Sequence, residues 1–414
     1  MGYANITEEV IANVAKHINA RSNKDHHIPV IGISRNAETP QIFEIMPFNE
    51  IDNSDINFFA VDGSYNSQSF YNGVSIGIYG AGYLCYKRGA QQRVNDFDDP
   101  VIKGRSCYPN NILITCEDDL FNIFDELLSM PLVCSLVDFF KDKPENIFAY
   151  SKEALTQNLS SLLSFAQEIL EWAMIYEIAN LDFVKSGDFI LKDGALRSLN
   201  IKQNYLVKLG EFIKNKELII VGVTKNSPVK MELSYTFKQI DDYLQDKLKY
   251  EYPFTINDPK RQKLCCWFEV SENVLAQAYK QKGTSNMYAK KDITGGRGFG
   301  IFHVARLDYV EKLQNYDWMV IDINIFDSIP GIKETNLTRD IGKLNTIFKE
   351  LTRLTQEHYI LGYPYPLVDI HHFITLKNNF NEEIIKRVKL ALYESQRMDH
   401  VDIENMFLNI HDRF

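Results

Sequence analysis

Two short stretches of this sequence echo each other, and both place an acidic side chain where chemistry can be done. Phe58-Phe59-Ala60-Val61 runs into Asp62-Gly63-Ser64, and Phe189-Ile190-Leu191-Lys192 runs into Asp193-Gly194-Ala195. In each, an apolar strand carries an Asp at its end, followed by a Gly that lets the backbone turn beside it. If the two strands are neighbours, their carboxylates converge on one hard cation, and oxygen ligands of this kind suit Mg2+ or Mn2+. One Asp-Gly alone reads as a common turn dipeptide. Its recurrence after a second buried strand is what makes it a candidate site.

A third acid is available between them, on the helix predicted over 152–180. Leu163, Ala166, Leu170 and Met174 form its core-facing stripe; Glu177 falls inside that stripe and Glu171 lies at its edge. A carboxylate so placed is costly unless paired, protonated or metal-bound, so either glutamate is a candidate ligand. Near the end stands GYPYPLVDIHHFITL (362–376), where two prolines lead into Asp369, His371 and His372 on a strand or helix start. A His beside carboxylates ligates a metal, shifting preference toward Mn2+, or works as an acid/base. Lys225, just past the apolar strand ELIIVGV, is placed to neutralise a phosphate.

The elements that must position these residues read as a mixed α/β sheet. Strands are predicted at 56–61, as a Gly-rich pair across 73–86, and at 111–116, 188–192, 217–223, 264–270, 299–306 and 316–323. Helices are predicted near 7–20, 118–130, 152–180, 199–215, 338–356 and 381–395. No Pro/Gly/Ser-rich linker divides the chain, so the 414 residues read as one domain, with a core over about 55–380, an N-terminal helical segment over 1–50 and a helical tail over 381–414. The long loops at 87–110 and 279–300 belong to that unit.

Composition bounds the function. Apolar types make up 45% and aromatics 12%, enough for a large core, and no apolar run is long enough to span a bilayer. The N-terminus lacks a signal pattern, and six cysteines without a C-x-x-C pair suit reduced thiols; a cytoplasmic protein with no membrane association is expected. The net charge of −10 excludes indiscriminate coating of nucleic acid. Local basic stretches remain. Residues 202–230 hold six lysines against Glu211 and Glu217, and 280–306 hold six basic residues against Asp292. The second includes Lys290, Lys291, Arg297 and Phe299 in and around TGGRGFG, a candidate strand guide whose Phe stacks on a base. TGGRGFG lacks Gly-Lys-Ser/Thr and does not open a helix after a strand, which excludes a nucleotide-hydrolysing P-loop.

Taken in order, Asp62-Gly63-Ser64, Leu170-Glu171-Trp172, Asp193-Gly194-Ala195-Leu196, Val221-Gly222-Val223-Thr224-Lys225 and Tyr363-Pro364-Tyr365-Pro366-Leu367 with His371 resemble the NurA nuclease family. The resemblance covers roughly residues 55–380. It implies an RNase H-like fold and a Mn2+-dependent deoxyribonuclease with 5'-3' exonuclease and single-strand endonuclease activity. It also implies a homodimer that acts on DNA beside a HerA-type hexameric ATPase, in DNA end processing or antiphage defence. Matched by position, the metal and catalytic residues are Asp62, Glu171, Asp193 and His371, with Lys225 catalytic and Glu177 the alternative to Glu171. Ala195 stands where the family pattern has serine, and an insertion is expected within about 87–150. Two other classes compete. A catalytically silent RNase H-like adaptor would bind DNA or the ATPase ring without cutting, and a carboxylate-pair glycan hydrolase would work without metal.

Overall fold

In the computed structural model the described residues are 43–45, 55–69, 75–87, 107–115, 120–225, 265–270, 300–308, 318–324, 341–356, 362–375, 378–395 and 399–406, with single positions at 12, 15, 16, 227, 229, 230, 233 and 237. Lys290, Lys291, Arg297 and Phe299 lie outside them, as does most of the helix expected at 7–20.

The strands are β1 (Phe43–Glu44), β2 (Asn57–Ser69), β3 (Ser75–Lys87), β4 (Cys107–Thr115), β5 (Phe189–Asp193), β6 (Ile219–Thr224), β7 (Cys266–Glu269), β8 (Ile301–Arg306) and β9 (Trp318–Ile323). They form one mixed α/β sheet in the order β4-β3-β2-β5-β6-β9-β8-β7-β1. β5 runs parallel to both β2 and β6, and the other pairs are antiparallel. Parallel strands are buried on both faces, which is why β2, β5 and β6 read as continuous apolar runs rather than alternating ones.

Helices cover both faces. On one lie α1 (Leu120–Ser129), α2 (Pro131–Phe140), α3 (Pro144–Ile147), α4 (Lys152–Leu155), α5 (Leu159–Ile178) and α6 (Gln203–Asn215), packed on Phe59, Val61, Tyr79, Tyr83, Ile190 and Ile220. On the other lie α7 (Ile341–Gln356) and α8 (Tyr365–Ile374), packed on Phe58, Ala60, Phe189, Leu191, Val221 and Ile321. α9 (Asn378–Glu394) and α10 (His400–Met406) pack on each other in the helical tail. Among the described residues no helix is long and apolar enough to cross a membrane, and Cys85, Cys134, Cys265 and Cys266 are free thiols.

Several elements differ from the sequence expectation. The Gly-rich stretch expected as two strands is the single strand β3, paired along its whole length with β2. Its glycines make room rather than turns: a Cβ on Gly77 would lie 2.9 Å from Leu163 Cδ1 of α5. β2 does not end at Asp62 but continues to Ser69, because β3 goes on pairing with it after β5 has stopped. The helix expected over 152–180 is two, since Asn158 caps α5 by accepting from Ser161 N at 3.2 Å. α2, with Pro131 in its first turn, was not expected from the sequence at all. The sheet also reaches into the segment expected to be purely helical: β1 lies on its far edge, with Phe43 stacked on Trp267 at 4.4 Å.

Candidate metal centre

β2 and β5 are in parallel register from Phe58↔Phe189 to Val61↔Lys192, so the next residues on the two strands are Asp62 and Asp193. Adjacent strands lie about 4.8 Å apart, and residues one step further on the same face stand side by side. The register is set at the other end by buried Asp188, which accepts from Asn57 N and Asn57 Nδ2, each at 2.9 Å. Asp62 and Asp193 both face α8, where the short apolar stretch after the two prolines forms a helix. Pro364 caps it and Pro366 sits in its first turn, where a missing N–H costs nothing. Leu367, Ile370 and Ile374 bury one side of α8 and leave His371 in the last turn, half exposed above Asp62.

Asp62, Asp193 and His371 therefore converge, with one ligand atom from each lying within 4.8 Å of the others. His371 Nδ1 is 2.9 Å from Asp62 Oδ2, while Asp62 Oδ1 accepts from Gly63 N at 2.8 Å. Asp193 Oδ1 accepts from the Tyr363 hydroxyl at 3.0 Å, and its Oδ2 lies 3.3 Å from Lys225 Nζ. Lys225 also stands 4.2 Å over the Tyr363 ring. Burial pushes the Asp62 carboxyl up to about 7, with the charges of Asp193 and Glu171 adding to it and His371 opposing. Burial and the neighbouring Asp193 likewise hold the Tyr363 hydroxyl far above its ordinary range, so it stays a donor. An acid kept from ionising by burial and by neighbouring acids is relieved by a cation. Two carboxylates and one imidazole form a donor set that could hold a divalent metal ion, without singling out Mn2+.

Glu171 does not join these three. It lies on the opposite face of β2, packed under Gly63, whose Cβ would come within 2.7 Å of Glu171 Oε1. There it pairs with Lys192 Nζ at 2.6 Å and accepts from Gln167 Nε2 at 2.8 Å. The expectation that Glu177 is the more deeply buried glutamate is reversed: Glu171 is buried and Glu177 is only half buried. α5 is enclosed on most sides, so its apolar stripe does not single out one face. Glu177 is also six residues on from Glu171, about 9 Å along the helix.

Gly63 and Gly194, alike in sequence, do different jobs. Gly194 turns the chain at a positive φ of 103°, whereas Gly63 lies within a continuing strand and admits α5. The turn after Gly194 is held by buried Asp322, which accepts from Leu196 N at 3.1 Å and pairs with Arg197 Nε at 3.4 Å. Ala195, in place of the expected serine, packs against the core around Val229 and Phe237.

Of the lysines in the basic stretch 202–230, Lys225 reaches the centre. Lys202, Lys208 and Lys216 instead bond to Glu145 O, to Phe139 O and Phe140 O, and to Asn180 Oδ1. Tyr363 and Lys192 were missed by sequence reasoning. Lys192 carried a readable signal, a charge inside an otherwise apolar strand; Tyr363, in an aromatic and proline-rich run, carried none. Compared with protein-family models and with curated protein sequences, the chain finds no match.

Proposed function

We propose that this protein is a metal-dependent deoxyribonuclease that hydrolyses phosphodiester bonds with Mn2+, or with Mg2+ as second choice. The convergence of Asp62, Asp193 and His371 within 4.8 Å carries the reading. The RNase H-like expectation draws support from the order β4-β3-β2-β5-β6, three antiparallel strands followed by two parallel ones, with α5 crossing between β4 and β5. In open α/β sheets, ligands gather at the carboxyl ends of parallel strands, where Asp193 lies and where β5 leaves Asp62.

Asp62, Asp193 and His371 would hold a divalent ion, which would lower the pKa of a bound water and supply positive charge for phosphate oxygens. The rest is done by the chain. Tyr363 and Lys225 hold Asp193 in one orientation from two sides. Lys225, 41% exposed, meets the phosphate charge from solvent. His371, half exposed and held beside Asp62, would complete the ion's ligand set. A HerA-type ring partner, a homodimer, a cytoplasmic location and 5'-3' polarity extend this reading on the motif resemblance alone.

The test is cleavage of single- and double-stranded DNA with Mn2+, Mg2+ or EDTA. We expect cutting that needs metal and falls to background in Asp62→Ala and Asp193→Ala. Undiminished cutting in either variant, or in EDTA, refutes the assignment. One observation favours a second reading, an RNase H-like adaptor that binds DNA without cutting it: Glu171 is committed to Lys192. Metal-independent DNA binding with no cleavage under any condition would select it.

A further inference from the structure

Glu171 has both oxygens engaged. Oε1 takes the Gln167 amide at 2.8 Å and Oε2 the Lys192 ammonium at 2.6 Å. The two charged side chains are 5% and 7% exposed, so water does little to screen them. Lys192 Nζ also donates to the main-chain oxygen of Asp193 at 3.1 Å. Neighbouring residues on a strand point to opposite faces, so the ammonium sits behind the residue whose carboxylate faces His371. A lysine is expensive to bury, and an apolar side chain would fill this strand position without that cost. The charge therefore calls for an account that packing does not give. With Glu171 held by Lys192, the acids grouped with His371 are Asp62 and Asp193.

We propose that Lys192 is a fixed cation built into this centre, standing where a second metal ion would need to sit on Glu171, so that each chain binds one divalent ion. The proposal rests on the metal-centre reading and sharpens it. Asp62, Asp193 and His371 are the ligands, while Lys192 and Glu171 are positioning residues that brace the end of β5 against α5. A two-metal clamp would have to strip Glu171 from Lys192 and leave a buried ammonium without its partner, the arrangement buried ion pairs tolerate least.

The test is Mn2+ stoichiometry of the full chain without DNA, by calorimetry and by electron paramagnetic resonance, with thermal melts to establish folding. Wild type is expected to bind one ion and Glu171→Gln still one. Lys192→Arg should hold at one, and Lys192→Met should free Glu171 and bind two. Lys192→Met combined with Glu171→Gln should return to one. Two ions in wild type, none in folded Glu171→Gln, or one in folded Lys192→Met overturns the role given to Lys192. If Lys192→Met does not fold, wild type and Glu171→Gln decide the matter. Asp62→Asn separates the two claims. If wild type binds no Mn2+, or Asp62→Asn binds it as well as wild type, the metal centre itself falls and Lys192 with it.

Discussion

Asp62→Asn should make the metal-free protein more stable while removing its response to Mn2+. The substitution keeps the shape of the side chain, its acceptor for Gly63 N and its contact with His371 Nδ1. What it removes is a negative charge that burial, Asp193 and Glu171 all oppose. The native carboxyl binds its proton more tightly than the unfolded one, so between pH 3.8 and about 7 the native state carries more protons. Stability from this group is therefore complete below about pH 4 and is lost as pH rises through about 7. Lifting a carboxyl from 3.8 to about 7 corresponds to on the order of 4 kcal/mol lost at pH 8 and about 2 kcal/mol at pH 5. For 414 residues at roughly 2.1 cal/mol/K each, that is a gain of about 5 °C in Tm at pH 8 and about 2 °C at pH 5 for the variant.

Thermal unfolding of wild type and Asp62→Asn in EDTA at both pH values measures this directly. Adding Mn2+ at about 100 times its Kd should return roughly 2.7 kcal/mol to wild type and nothing to the variant. An Asp62→Asn protein no more stable than wild type at pH 8, or one whose gain is the same at both pH values, refutes the account of Asp62 as an acid strained by its neighbours.

Tyr363→Phe takes the hydroxyl from Asp193 Oδ1 and Val223 O, and should weaken Mn2+ binding about 10–100-fold in a calorimetric titration while costing only about 1 kcal/mol of stability. Lys225→Ala, at a side chain 41% exposed, should change the urea midpoint little, weaken DNA binding at every sequence tested and lower the salt slope by about one. Gly222→Ala places a Cβ 2.5 Å from Gly194 O and 2.9 Å from Leu196 N, both backbone atoms, and should destabilise the chain by about 1–3 kcal/mol in urea unfolding.

Three of the four candidate residues come together in the structure, and each follows a local rule: an apolar run that stops at an acid, or prolines that fix an approach to a histidine. The fourth was misplaced by the same kind of rule. Asp62-Gly63 and Asp193-Gly194 look alike, yet local pattern does not show that β3 continues to pair with β2 beyond Asp62. Gly63 therefore opens the α5 face to Glu171 instead of turning the chain as Gly194 does. The wheel reading of α5 failed for a related reason. A stripe identifies one face only when the others meet water, and Trp172, Ala173, Met174 and Ile175 are all buried. The Gly-rich strand misled because glycine serves close packing as well as turning, and only the position of Leu163 separates the two. Pairing across the sheet carries this information, and a single sequence does not display it.

The centre depends on a match between two registers. Asp188, Asn57 and Lys185 N tie the beginning of β5 to β2, and four paired residues later both strands arrive at their acids together. A slip of one residue would turn Asp193 toward α5 and Lys192 toward His371, exchanging a carboxylate for an ammonium at the site. The Lys192-Asp193 dipeptide thus encodes both sides of the centre at once, an anion facing α8 and a cation facing α5. On the proposed nuclease reading, the net charge of −10 would disfavour bulk DNA, and the positive charge would be local: Lys192 behind the strand end, Lys225 at its rim and an ion held by Asp62, Asp193 and His371. On that reading a phosphodiester would be engaged where these three charges meet, and cleavage should fall with added salt through Lys225 far more than through Lys192.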